Sequence, residues 1–167
     1  MRGQYGFWID WNEISNEEYR ICARLELCTP PQSVVCSGMD YYSDPDFSNY
    51  PVVNITRDQA SAYCAWAGME LMTVNDWRTA AEVMQTVNGN YDQLSLMPAE
   101  NTSESSNIIG NVWEWTSDRN SKGAGIIAGG SWKSSVQDIK AGKTAEFDMN
   151  AVAEDLGFRC VKRISSQ

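Results

Sequence analysis

The hexapeptide Gly110-Asn111-Val112-Trp113-Glu114-Trp115 sets a carboxylate between two of the chain's seven tryptophans. Large aromatics carry much of a core's burial energy, and a charge lodged beside them is costly without a fixed partner. Glu114 therefore predicts a bound cation or a dense hydrogen-bond network. Two further blocks follow, Gly129-Gly130-Ser131-Trp132 and Leu156-Gly157-Phe158-Arg159-Cys160. What is missing narrows the chemistry as much. The chain has no histidine, which removes the commonest general base, the commonest transition-metal ligand and every triad built on imidazole. Five cysteines stand at 22, 28, 36, 64 and 160. None forms a C-x-x-C pair, so a zinc knuckle is not expected, and the odd count leaves at least one thiol outside any intrachain disulfide.

The elements that must position these groups are legible in part. Phe7 to Trp11 alternates and is rich in aromatics, the pattern of a strand. Ser15 with Glu18 forms a capping box, after which Tyr19, Cys22 and Ala23 share a helical face running to about Leu27. Residues 28–49 carry three of the five prolines and read as a long ordered loop. Thr56 with Gln59 repeats the capping signal ahead of Ala60, Tyr63, Cys64 and Ala67, and Gly68 stops that helix. Leu71-Met72 reads as a connector. Thr73 caps a third helix with Trp77, Ala80, Ala81 and Met84 on one stripe. Asn88-Gly89-Asn90 predicts a turn in a polar stretch, and Asn54-Ile55-Thr56 and Asn101-Thr102-Ser103 match glycosylation acceptors. Short apolar segments at Ile126–Ala128, Trp132 and Leu156–Val161 predict strands of a small sheet.

At 167 residues the chain fits one domain with one core. A net charge of −9 argues against nucleic acid, whose binding relies on Lys and Arg, and against an anionic membrane surface. No stretch approaches membrane-spanning length, and Met1-Arg2-Gly3-Gln4-Tyr5 opens without a signal-peptide core. A cytoplasmic protein and one carried to a cell or virion surface are both compatible with that opening.

The three blocks, in this order, resemble the C-terminal half of the formylglycine-generating enzyme (sulfatase-modifying factor) family, a branch of the C-type lectin fold. Upstream, Glu13-Ile14-Ser15-Asn16 before Tyr19, Tyr50-Pro51-Val52-Val53-Asn54 before Ala62-Tyr63-Cys64-Ala65-Trp66-Ala67-Gly68, and Leu71, Thr73, Trp77 and Ala80-Ala81 continue the likeness. The resemblance implies an α+β C-type lectin-like domain over 1–167: a small mixed sheet, two or three helices and long loops displayed on one side. It implies a disulfide between Cys64 and Cys160. Cys22 could pair with Cys28, and Cys36 competes for either partner.

The family holds calcium with an Asn-x-x-Gly-Asn-x-x-Glu segment, which implies Asn107 and Glu114 side chains and the Gly110 and Val112 carbonyls as ligands of one structural calcium. Oxygen donors of that kind suit the ion. The competing reading is a metal-free loop in which Asn107 and Glu114 accept backbone N–H groups. The family's oxidases bind copper through two cysteines shortly after the Gly-Gly-Ser block, but here no cysteine lies between Cys64 and Cys160. Soft thiolates select Cu(I), and Ser or Lys cannot replace them. Neither copper nor the oxidase activity is therefore expected.

A scaffold without its catalytic pair resembles the variable proteins of diversity-generating retroelements. These use a C-type lectin fold to present a diversified C-terminal surface. The corresponding segment spans about 115–158, with Trp132, Lys133, Ser134, Ser135, Gln137, Asp138, Lys140, Lys143, Glu146, Phe147, Asp148, Met149 and Asn150 as candidate ligand-binding residues. The resemblance implies a non-catalytic receptor-type protein, a monomer or small oligomer, whose ligand is a protein rather than a small molecule. The alternatives are a divergent formylglycine-type oxidase and a structural or accessory surface protein.

Overall fold

The structure, a computed structural model, describes residues 6–84, 107–135, 139 and 143–164. Its fold is α+β and C-type lectin-like. Strand β1 (Phe7–Ile9) leads into helix α1 (Asn16–Arg24), whose Ser15 N-cap and Glu18 complete a reciprocal capping box. A short hairpin, β2 (Val35–Cys36) and β3 (Met39–Asp40), and a 3-10 turn at Pro45–Phe47 occupy the long loop. Helix α2 (Arg57–Trp66) has the second capping box, Thr56 with Gln59. Strand β4 (Glu70–Leu71) precedes helix α3 (Val74–Met84), where Asp76 Oδ2 accepts from Thr73 N at 2.8 Å and Asp76 N donates to Thr73 Oγ1 at 3.0 Å. Strands β5 (Trp113–Arg119), β6 (Gly125–Ala128), β7 (Thr144–Phe147), β8 (Leu156–Gly157) and β9 (Cys160–Arg163) follow.

Two sheets organise the molecule. In the first, of order β1-β9-β4, the last strand lies antiparallel between the first and the fourth, pairing Ile9 with Val161 and Leu71 with Cys160. The two ends of the described chain are thereby joined. The second sheet has the order β7-β6-β5-β8, with β8 parallel to β5. Trp115, Phe158, Tyr19, Ile55 and Leu156 are fully buried between these sheets and the helices. Cys64 and Cys160 are joined by a disulfide, Cα–Cα 5.6 Å, linking α2 to β9. Closing a loop of 96 residues stabilises by about 4–5 kcal/mol in the chain-entropy model.

Several elements differ from the sequence expectation, each for a physical reason. Helix α1 ends at Arg24 rather than near Leu27. Glu26 takes φ +59° and Cys28 pairs with Cys22, so the chain folds back on the last turn. This pairing leaves Cys36 as the free thiol, and it is buried. Trp132 lies in a turn, because Gly129 and Gly130 adopt φ of +103° and +76°, and it packs with Cys36, Tyr41, Val53 and Val112. Residues 156–161 form two strands instead of one, since Phe158 and Arg159 leave the ladder and turn inward at 0 % exposure. Strand β7 was legible only as polar loop. It is a four-residue edge strand whose Ala145 and Phe147 pack against the core while Glu146 is exposed, an alternation too short to stand out from its polar surroundings. Asn54 is buried, with φ +58° and its amide donating to Val35 O at 2.9 Å, so it is no glycan acceptor in this fold. Asn88-Gly89-Asn90 and Asn101 lie outside the described residues.

Candidate functional site

The first and last of the three sequence blocks meet, with Glu13, in a buried charge node, and the middle block lies beside it through Trp132 N donating to Asn111 O at 2.8 Å. Parallel pairing of Glu114 with Gly157 sets β5 beside β8, and the departure of Phe158–Arg159 from the sheet then aims a guanidinium at Glu114. A Cβ on Gly157 would sit 2.9 Å from Val52 O, so only glycine permits this approach. Arg159 Nε donates to Glu114 Oε1 at 2.7 Å and Nη1 donates to Trp11 O at 2.6 Å. Its Nη2 lies 3.7 Å from Glu13 Oε2, and Asn111 Nδ2 donates to Glu13 Oε1 at 3.1 Å. Arg159 and Glu114 are completely buried and Glu13 is 1 % exposed. The partner demanded by a glutamate between tryptophans is thus Arg159.

Two carboxylates face one guanidinium here, so with both ionised the buried node would carry an excess negative charge. Burial pushes the carboxyls of Glu13 and Glu114 well above the ordinary carboxylate range; Arg159 pulls both back, and each glutamate is set against it. Trp77 turns its indole N–H toward Glu114, short of hydrogen-bond geometry. Asp10 is pushed up to about 6 by burial, opposed by the Cys160 N–H and Arg159. Glu114 Oε2 and Glu13 Oε2 lack hydrogen-bond donors. Such a node is satisfied by a bound proton or by a cation.

The residues implied for calcium lie at this node's edge. Asn107, Gly110 and Val112 are buried in the loop entering β5, and Asn107, Gly110 and Asn111 take φ of +46°, +84° and +57°. With Glu114 they supply only oxygen donors, and Oε2 of Glu114 has no hydrogen-bond donor to displace. The donor set fits a hard cation.

The candidate ligand-binding residues divide into two groups. Trp132 is 8 % exposed and packs with Cys36, Tyr41, Val53 and Val112, so it supports the surface from beneath. Lys133 is exposed, 2.8 Å from Glu154 Oε1 and 4.9 Å over the Trp132 ring. Ser134 and Ser135 are half-buried. Lys143 Nζ stands 5.9 Å from the Trp113 ring. Further along, Glu146, Asp148 and Asn150 are exposed and Met149 is half-buried, while Phe147 packs edge-on against Trp115 at 5.7 Å. Together with Lys122 the residues 146–150 line a shallow cavity of about 430 Å³. Gln137, Asp138 and Lys140 lie outside the described residues.

Sequence reasoning missed the clamp at Glu154. Its Oε2 accepts from Ser37 N at 2.9 Å, its Oε1 accepts from Lys133, and its carbonyl lies 3.6 Å from Cys36 Sγ. The β2–β3 hairpin thereby borders the C-terminal segment. No local pattern announces a contact between residues 117 apart in the chain.

The family model of the sulfatase-modifying factor enzyme 1-like domain matches residues 3–104 and 88–164, and the chain belongs to that family. It is 27 % identical over 164 residues to the mouse formylglycine-generating enzyme, covering 68 % of this chain and 44 % of that protein. It is 24 % identical over 209 residues to the serine/threonine-protein kinase pkn1 of Chlamydia pneumoniae, covering 96 % and 33 %. To the bovine inactive C-alpha-formylglycine-generating enzyme 2 it is 25 % identical over 150 residues, covering 66 % and 50 %. The chain thus spans between a third and a half of these relatives' lengths. Among solved structures, PvdO from Pseudomonas aeruginosa superposes with TM-score 0.74 at 13 % identity, over 95 % of this chain and 80 % of that one. Treponema denticola variable protein 1 gives 0.66 at 14 %, over 98 % and 90 %. The U1 variant of the Major Tropism Determinant gives 0.62 at 12 %, over 94 % and 50 %. At these identities the likeness is one of fold.

Proposed function

We propose that this member of the sulfatase-modifying factor family is a non-catalytic ligand-binding protein, a retroelement-type variable protein that presents residues of the 115–158 segment to a protein partner. The observation that carries the reading is the state of its thiols. Four of the five cysteines are committed to Cys22–Cys28 and Cys64–Cys160, and the fifth, Cys36, is buried under Glu154. A two-thiolate copper centre therefore has no ligands without breaking a disulfide. The exposed polar side chains of 146–150, on a sheet anchored by the charge node, are instead suited to adaptable recognition. Two disulfides support an oxidising setting such as a cell or virion surface.

The first test is chemical. Copper-loaded protein with a cysteine-containing peptide should take up no oxygen above background; stoichiometric uptake would reverse the reading in favour of the oxidase. The second is genetic: a near-copy of the coding tail, differing at adenines and adjacent to a reverse transcriptase gene, is expected. We also propose one structural calcium held by Asn107, Gly110, Val112 and Glu114, which would supply the positive charge the node lacks. Calorimetric titration of chelator-treated protein checks it, and no heat beyond dilution removes it.

A further inference from the structure

A second concave site lies outside the 115–158 segment, between helix α1 and the loop that carries the 3-10 turn at Pro45–Phe47. It has a volume of about 290 Å³ and is lined by Glu17, Arg20, Arg24, Ser43, Pro45 and Ser48. In a chain of net charge −9 this cleft sets two guanidiniums against a single carboxylate. Arg20 and Arg24 stand one turn apart on α1, a spacing at which like charges repel. Glu17 is exposed at the same cleft, yet among the described residues it forms no ion pair with either arginine.

The two arginines are held differently. Arg20 is half-buried and fixed, its Nη1 donating to Tyr42 O at 2.7 Å and its Nη2 to Ser48 Oγ at 2.6 Å. Both partners are neutral oxygens, so the fold positions this cation without compensating its charge, and N–H groups are left over. Arg24 is exposed, and among the described residues its guanidinium makes no hydrogen bond or ion pair. Ser48 Oγ accepts from Arg20 and keeps its own proton to donate. The Ser43 hydroxyl likewise has no partner among the described residues. The acids of the neighbouring loop are engaged elsewhere: Asp40 Oδ1 accepts from Ser43 N at 3.3 Å and Asp44 Oδ1 from Asp46 N at 2.9 Å, and neither lines the cleft.

What converges here is donors and positive charge, so the ligand must be an anion rich in acceptors. A carboxylate offers two oxygens in one plane. A sulfate or phosphate ester offers three terminal oxygens in a tetrahedral array, which two guanidiniums and two hydroxyls can share, and the guanidinium fork matches such groups bidentately.

We propose that this cleft binds a tetrahedral oxyanion, the sulfate or phosphate ester of a ligand, with Arg24 closing on it bidentately and Arg20, Ser43 and Ser48 supplying the further donors. The site shares no residue with the 115–158 segment, so it stands or falls apart from the reading of that face.

The test is a titration of ¹⁵N-labelled protein with sodium sulfate, sodium phosphate and sodium acetate at constant ionic strength, read at the Arg20 and Arg24 Nε–H signals and the Ser43 amide. Sulfate or phosphate should give saturable shifts, and acetate weaker binding than either. Whichever of the two binds more tightly at about pH 8, where a phosphate is a dianion, identifies the ester. Arg24→Gln, an exposed change, should weaken that oxyanion about tenfold. Arg24→Lys, which keeps the charge and loses the fork, should weaken it less. Shifts that never saturate, equal affinity for acetate, or unchanged affinity in Arg24→Gln would overturn the proposal.

Discussion

The charge node at Glu13, Arg159 and Glu114 and the polar stretch at 146–150 are both rich in acidic side chains, yet they obey opposite physics. In the node every group is desolvated and set against the others, and removal of one member strands the rest. At 146–150 the charges stay in water, Glu146 and Phe147 are held by pairing with β6, and the exposed side chains of Glu146, Asp148 and Asn150 are energetically replaceable. The contrast separates what holds a display scaffold together from what it displays. Rigidity below is what permits substitution above.

The comparison breaks first at Arg159. Arg159→Met leaves two buried carboxylates uncompensated and should cost about 3–5 kcal/mol in urea unfolding. A loss under about 1 kcal/mol would mean the node is hydrated and unlike the one described.

Calcium should act on the same node from the other direction. Ligand at one hundred times its dissociation constant stabilises by about 2.7 kcal/mol, so added calcium should raise the melting temperature by several degrees and chelator should reverse it. Glu114→Gln should abolish that response while Glu146→Gln leaves it intact.

The pH dependence follows from the sign of the shifts. Asp10, Glu13 and Glu114 hold protons in the folded state above the pH at which they lose them when unfolded. Their contribution to stability is therefore fully present below the unfolded carboxyl range and is lost as pH rises, through about 6 for Asp10 and higher for the two glutamates. Asp76, held below the ordinary range by Arg163 and Thr73 against its burial, works oppositely and weakens only under acid conditions. Calcium-free protein should accordingly melt higher near pH 5 than near pH 8, by roughly 1–3 kcal/mol of stability, and Glu13→Gln should flatten that slope. A profile rising from 5 to 8 would contradict the account.

The smallest effect belongs to the face. Glu146→Gln, Asp148→Ala and Asn150→Ala should each change stability by less than about 0.5 kcal/mol and together by little more, read by the same unfolding curves. Larger losses would make those residues structural and blunt the contrast.

Much of this was readable from the chain. Capping boxes at Ser15–Glu18 and Thr56–Gln59 are local signals, since both partners lie within one helical turn. The demand for a partner at Glu114 was also local, written in its tryptophan neighbours. Its identity was not. Arg159 stands 45 residues downstream and Glu13 far upstream, near the N-terminus, and the parallel seating of β8 on β5 with the inward turn after Gly157 brings Arg159 to Glu114. The choice of Cys28 over Cys36 as the partner of Cys22 depended on where α1 stops. The Glu154 clamp depended on a hairpin inside what read as loop. The sequence by itself carried the motifs that resemble the family, the absence of histidine and the absence of any cysteine between Cys64 and Cys160, because each is a property of residue types along a line. Which charges face one another inside, and which face water, was decided by tertiary structure alone, because burial sets the cost of a charge and burial exists only after folding.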